Sequence, residues 1–394
     1  MYGFRKPFTA ASFDSDPFEP GMKAWFVTAQ VLGYMLSKFI GIKVVSEMPP
    51  HRRAWTLLGL IGIAETALLL FALCPPPYSL AFLFLNGLPL GMVFGLVLGF
   101  LEGRQLTEAF VAGLCTSFIL ADGVVKSVGA WLLSSGVTEA WMPFTAGLVF
   151  LLPLCGFVWM LQRIPPPTQA DEIARSPRKP MGKAERQLWI RSHGLSLGLI
   201  VFSYLLVTIM RSIRADFAPE LWNELGLNVA PAVYTQSEMW VALGVMAICG
   251  AVVTLKDNRK ALFTALGIAI AGLGLVLGTL WGHGLGWIAP FPFMVLIGLG
   301  LYLPYVVVHT TVFERLIAVT RDPGNIGFFM YLADAFGYLG YVLLMIFGSA
   351  LPKDTGALPL FRSIATVAAL IGIVAFVAAS LAFRRKTNSN PDLV

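Results

Sequence analysis

The chain has 394 residues, 57% of them hydrophobic and 13% charged, and a net charge of +6. A soluble domain carries roughly 25% charged residues, so the composition excludes an ordinary soluble protein. Apolar runs near the 20 residues that cross a bilayer as a helix recur along the whole length. They lack the every-second-residue alternation of barrel strands, so the expected class is an all-α membrane protein embedded in a lipid bilayer.

In chain order, the first apolar segment, residues 1–13, is too short to cross, and no cleavable signal pattern precedes it. About 15 further residues upstream would complete it as a helix. The following spans are expected at 22–45, 54–74, 79–101, 108–134 and 141–162, then at 189–218, 235–255, 261–281, 286–308, 324–350 and 360–383. The polar stretch IPPPTQADEIARSPRKPMGKAERQ separates the sixth span from the seventh. The expected organisation is an N-terminal bundle at 1–162 with an incomplete first helix, a cytoplasmic linker at 163–188, a C-terminal bundle at 189–384 and a cytoplasmic tail at 385–394.

Loop charges set the expected orientation. Arg52, Arg53, Arg104, the linker, Lys256, Arg259, Lys260, Arg315, Arg321 and Arg384–Lys386 fall on one side. The opposite loops, FDSDPFEPG, PPPY, APELWNELG and LPKDTG, are acidic or neutral. Positive loops stay inside, which predicts a multi-pass protein of the cytoplasmic membrane with a cytoplasmic C-terminus. The same distribution makes the positive charge a topology signal and not a nucleic-acid footprint.

Nothing in the sequence points to an enzyme or to a cofactor. Cys74, Cys115, Cys155 and Cys249 stand alone without a CxxC, and His51, His193, His283 and His309 show no metal-ligand spacing. The GLSLG at Gly194–Gly198 fits G-x-S-x-G. It lies in an expected membrane helix and not on the strand-to-helix turn that a nucleophile needs.

The informative residues are charges inside apolar runs, because a charged side chain at the bilayer centre costs about 2.5–3.5 kcal/mol on insertion scales. Arg5 and Arg211 open the two halves. Asp122 and Lys126 stand four apart and can pair on one helix face; charge pairing and proton coupling both suit them. Asp334 has no basic neighbour at helical spacing, so it needs either a proton or a partner on another helix: Arg5, Lys6, Arg211 or Lys126. Seven tyrosines (Tyr2, Tyr34, Tyr204, Tyr302, Tyr305, Tyr331 and Tyr338) are candidates for cavity walls or for packing. Gly87, Gly91, Gly95, Gly99 and Gly103 line one helix face and allow close helix contact.

The halves echo each other at a spacing of about 206–212 residues. LADGVVKSVGAWLL matches LADAFGYLGYVLL, pairing Asp122 with Asp334. GFLEGRQ matches TVFERLI, pairing Glu102 with Glu314 and Arg104 with Arg315, and Arg5 pairs with Arg211. Parallel six-helix halves around a central linker resemble the major facilitator superfamily.

Within it, three stretches are similar to the organophosphate–phosphate antiporters: YGFRKPFTAA with Arg5, Lys6 and Phe8; SKFIGIKVVSEMPPHRR with Ser37, Lys38, Glu47, Arg52 and Arg53; and RSIRADFAP with Arg211, Asp216, Phe217 and Pro219. The resemblance implies that Arg5 and Arg211, with Lys6, hold an anionic group, as guanidinium forks suit phosphate oxygens. It also implies that Glu47, Arg52, Arg53, Glu102, Arg104, Glu314 and Arg315 form a cytoplasmic gate, although such charges equally set topology. The chain departs from that group in the fifth helix, where Asp122 stands in place of a histidine, which leaves open a separate branch of the superfamily.

The expected function is therefore secondary active transport, by a monomer, of a small anionic organic solute, a phosphorylated one included, through alternating access. The alternatives are a transport-inactive membrane sensor and a lipid-type flippase.

Overall fold

A computed structural model describes residues 1–13, 21–46, 48–101, 107–165, 168, 183–227, 229–320, 326–348 and 356–388. The first segment, as expected, is too short to cross. It forms no transmembrane helix but two 3-10 turns, Tyr2–Phe4 and Pro7–Ala10. Pro7 begins the second turn, where its missing N–H and fixed φ suit a helical start but not a helix interior.

The turns are buried, so their backbone needs partners inside the protein. Two amides on neighbouring helices supply them. Asn86 donates from Nδ2 to the carbonyls of Phe4 (3.0 Å) and Ala64 (2.9 Å). Gln30 donates from Nε2 to the Arg5 carbonyl at 2.8 Å and to Asn86 Oδ1 at 2.7 Å.

Helices follow in order: α1 Met22–Ser46, α2 Pro50–Leu73, α3 Ser79–Leu101, α4 Thr107–Ser134 and α5 Met142–Gln162. Then come α6 Lys183–Asp216, the short α7 Ala218–Glu224, α8 Ala232–Val253 and α9 Asn258–Gly284. The last are α10 Pro290–Val307, α11 Phe313–Thr320, α12 Ile326–Gly348 and α13 Ala357–Asn388.

Three spans differ most from their expected ends, one of them α13, which runs to Asn388 and so takes in residues expected to be tail. Helix α6 starts at Lys183 and so takes in residues expected to be linker, with Gly194–Gly198 in its interior. The span expected to close at 308 instead runs on through a π-turn, Val308–Val312, into α11. Pro304, four residues before the turn, has no N–H to donate into the ladder.

Among the described residues, ten helices are long and apolar enough to cross a membrane. The protein is a multi-pass membrane protein. Helices α1–α5 pack on one another through α1–α3, α2–α3 and α2–α5, and α6–α13 do so through α6–α12, α6–α13, α8–α10, α9–α10 and α9–α13. Two seams join these groups, α4 against α8 and α1 against α12.

The glycine face of α3 is a tight contact. A Cβ at Gly87 would fall 2.0 Å from the Gln30 carbonyl oxygen, and one at Gly91 would fall 2.6 Å from Ser37 Cβ. Gly33 on α1 returns the contact, 2.1 Å from the Phe84 carbonyl oxygen by the same measure. The backbones of α1 and α3 therefore touch where Gln30 reaches the turns, so this face fixes the position of Arg5.

Gly87→Val should force these backbones apart and destabilise the protein by at least about 1–3 kcal/mol. Gly62, whose Cβ position meets nothing within 4 Å, should tolerate alanine. Thermal unfolding of both variants in detergent checks the contrast.

Candidate functional site

The seams hold a buried set of ions. Arg5, Lys6, Lys23, Lys38, Lys126, Arg211 and Arg214 are all buried. Five have a carboxylate partner. Lys6 pairs with Asp216 and Lys126 with Asp122. Lys23 pairs with Glu220. Lys38 Nζ lies 2.8 Å from Asp334 Oδ2, and Arg214 Nη1 lies 2.8 Å from Glu238 Oε1.

Arg5 and Arg211 are the exceptions: neither guanidinium has a carboxylate at ion-pair distance among the described residues. The Nε of each also lacks a hydrogen-bond partner. Aromatic faces and one hydroxyl surround them instead. Arg5 Cζ sits 3.7 Å from the Tyr34 ring centroid and 5.5 Å from that of Tyr338. Arg211 donates from Nη2 to the Tyr338 hydroxyl at 3.3 Å, with the Tyr305 ring 4.4 Å and the Tyr302 ring 5.8 Å from its Cζ. Tyr338 of α12 thus touches both arginines, one from each half of the chain. Ring faces attract cations, but they carry no neutralising charge.

Lys6 does not join the arginines. It reaches from the second turn to Asp216 at the end of α6, where the Tyr341 hydroxyl also donates to Asp216 Oδ2 at 3.0 Å. Asp122 takes Lys126 of its own helix, and its second oxygen has no partner.

Asp334 pairs with none of the four expected cations. Its partner is Lys38 on α1, which is set in a cage of Tyr34, Phe94 and Tyr331 rings at 5.1, 5.5 and 5.2 Å. The reason is topological, since α12 packs against α1 at this level. The other Asp334 oxygen accepts from Tyr204 at 2.6 Å and lies 3.3 Å from His309 Nε2. His309 stands on the π-turn, and such turns often occur at functional sites.

Lys38, Asp334, His309 and Tyr338, with Tyr2, Tyr34 and Tyr305, line a cavity of about 10 Å³, room for roughly one water molecule. The arginines stand behind its tyrosine walls. Tyr204 serves Asp334, while Tyr302 packs beneath Arg211.

Of the expected gate residues, Arg53 donates to the Gly99 carbonyl, tying the start of α2 to α3. Arg52 is exposed, and Glu314 is half-buried. Arg315 donates to Asn258 Oδ1 at 2.7 Å. Glu47, Glu102 and Arg104 lie outside the described residues.

Sequence reasoning assigned no role to Asp216, Tyr341, His309, Glu65 or Glu238. Glu65 and Glu238 carried the same signal as the arginines, a charge within an apolar run.

Lys38→Ala should leave the Asp334 carboxylate buried without its cation and cost about 3–5 kcal/mol. The pair Lys38→Met with Asp334→Asn should cost less than the two single changes added together. A double-mutant cycle of thermal stability measures the difference.

The chain is similar in fold to several solved structures. It matches a D-xylose–proton symporter at 15% identity and a TM-score of 0.59, over 96% of this chain and 94% of that one. It matches a bacterial homologue of the human drug peptide transporters at 14% identity and a TM-score of 0.61, over 98% and 96%. It matches a human organic anion transporter at 15% identity and a TM-score of 0.57, over 90% and 83%. No curated protein matches. The fold is of the major facilitator type, whose general plan is about twelve helices. A family model matches residues 7–386, nearly the whole chain, and the protein belongs to that family, DUF5690, a family of unknown function.

Proposed function

We propose that the protein is a secondary active transporter of a small anionic organic solute, which binds between the two groups of helices at Arg5 and Arg211. The observation that carries the reading is the charge imbalance: among the described residues, seven lysines and arginines are buried, and of these Arg5 and Arg211 lack a carboxylate. Unpaired buried charge is costly, and an arriving anion relieves both guanidiniums at once. A surplus of two favours a solute with two negative charges, such as a phosphate monoester or a dicarboxylate. Lys6 has a supporting role, since it holds Asp216 and keeps that carboxylate from answering the arginines.

The contacts across the seams suit alternating access. Lys6–Asp216, Lys23–Glu220 and the Ser127 hydroxyl with Thr235 at 2.7 Å join the two groups of helices near the end of α6 and the start of α8. Lys38–Asp334 joins them nearer the start of α12. A carrier needs one set to open while the other stays closed. The remaining buried pairs, Asp122–Lys126 and Arg214–Glu238, each lie within one group of helices, and the loop charges place the basic loops and the C-terminus in the cytoplasm on this reading.

Arg211→Ala and Arg5→Ala should each abolish binding of the anion while leaving membrane insertion intact. Arg211→Lys should bind more weakly, because one ammonium cannot replace a fork. A thermal-shift screen of organic mono- and dianions on the purified protein, followed by uptake of the radiolabelled hit into proteoliposomes, tests the reading. Binding that survives Arg211→Ala unchanged refutes the anion site, and binding without accumulation identifies a sensor.

A further inference from the structure

Glu65 is a second charge question, separate from the seams. It lies in α2 within the run LIGIAETALLLF and is 7% exposed. Both carboxyl oxygens are buried and neither has a hydrogen-bond partner. The carboxyl lies against the backbone of α5, where a Cβ at Gly147 would fall 2.0 Å from Glu65 Oε2.

Neither α3 nor α5, the helices packed on α2, offers a cation to it. Helix α3 has no ionisable side chain, and the one on α5, Cys155, is exposed. The Tyr2–Phe4 turn contributes Tyr2, which stacks on Phe118 of α4, and the next residue, Arg5, stacks on Tyr34 of α1. On α2 itself, His51, Arg52 and Arg53 lie at the helix start, more than three turns away.

An isolated ionised carboxylate is not tolerated in such surroundings and takes up a proton instead. A metal ion is a poor alternative, since hard cations need several oxygen ligands. No group of three or more His, Cys, Asp or Glu able to hold a metal occurs among the described residues.

Glu65 is also tied to Arg5. Asn86 bridges the carbonyls of Ala64 and Phe4, the residues that precede Glu65 and Arg5, and Gln30 holds both Asn86 and the Arg5 carbonyl. On the other side, Phe150 of α5, one turn from Gly147, packs on Gly3, its ring 2.6 Å from where a Cβ there would stand. The two helices that enclose Glu65 thus also pack on the turn that precedes Arg5.

We propose that Glu65 is a proton-binding site, held neutral between α2 and α5, whose protonation is linked to anion binding at Arg5. The linkage rests on the reading of Arg5 given above; the proton site does not. The sign follows from charge: an ionised Glu65 adds a negative charge beside the turn that precedes Arg5 and disfavours an anion there. Anion affinity should fall as pH rises through the titration of Glu65, by up to about tenfold per pH unit, the limit for one linked proton.

A hydrophobic carbodiimide tests the site. A neutral carboxyl adds across one C=N bond, its proton going to nitrogen and its oxygen to carbon. The O-acylisourea then rearranges to a stable N-acylurea that carries the added carbodiimide mass. Treating the full chain with dicyclohexylcarbodiimide in detergent and mapping peptides by mass spectrometry should place the adduct on Glu65, with labelling that declines as pH rises and is absent from Glu65→Gln. No adduct at Glu65, or labelling indifferent to pH, overturns the proton site whether or not the variant folds.

Sulfate, a dianion across the range, probes the linkage by thermal shift. Its affinity should depend on pH in the natural protein and be flat in Glu65→Gln. An equal pH dependence in both proteins overturns the linkage. If sulfate and the screened organic anions bind neither protein, the Arg5 reading and the linkage built on it both fail, and the carbodiimide result alone decides the proton site.

Discussion

The structure depends on one constraint: charge enclosed within helices that face lipid must be answered from within the protein. Five of the seven lysines and arginines buried among the described residues obey it by finding a carboxylate. Three of these pairs, Lys6–Asp216, Lys23–Glu220 and Lys38–Asp334, join the two groups of helices. The constraint also makes the two exceptions informative. Arg5 and Arg211 are softened by tyrosine rings and a hydroxyl, contacts that lower the cost of a cation without cancelling its charge. Glu65 is the converse case, a carboxyl with no cation. The three together give the interior a capacity for ions that it does not itself fill.

The same demand governs the backbone at the N-terminal turns. A helix satisfies its own amides; two short 3-10 turns do not. Asn86 and Gln30 supply the missing donors, and the glycine face of α3 brings them close enough to do so. A packing feature of α3 therefore sets the position of a guanidinium that belongs to neither α3 nor α1.

Much of this was legible in the sequence. Span lengths and hydropathy gave the helices, because a bilayer imposes one length on every crossing. Arg5 and Arg211 stood out because charge in an apolar run is rare. The Asp122–Lys126 pair was open to reading because it lies within one helix, where spacing alone determines contact. What escaped depended on which helices are neighbours. Lys38 was visible as a residue but not as the partner of Asp334, since hydropathy does not specify that α1 packs on α12. The first segment was legible as too short to cross, but its division into two 3-10 turns, the second begun by Pro7, was not. The π-turn at Val308–Val312 had no sequence signal beyond Pro304, so His309 looked like one of four scattered histidines.

Asp122 and Asp334 descend from matching places in the repeated pattern, yet their bonds have opposite mechanical meanings. The salt link of Asp122 stays within α4, and the α4–α8 seam carries neutral contacts instead, the hydroxyls around Ser127 at about 1 kcal/mol each and the close packing of Gly123 on the Tyr234 carbonyl. The salt link of Asp334 is anchored on the far side of its seam, so α1 and α12 part only as two ions are rehydrated. The matching aspartates thus leave one seam held by neutral contacts and the other by an ion pair.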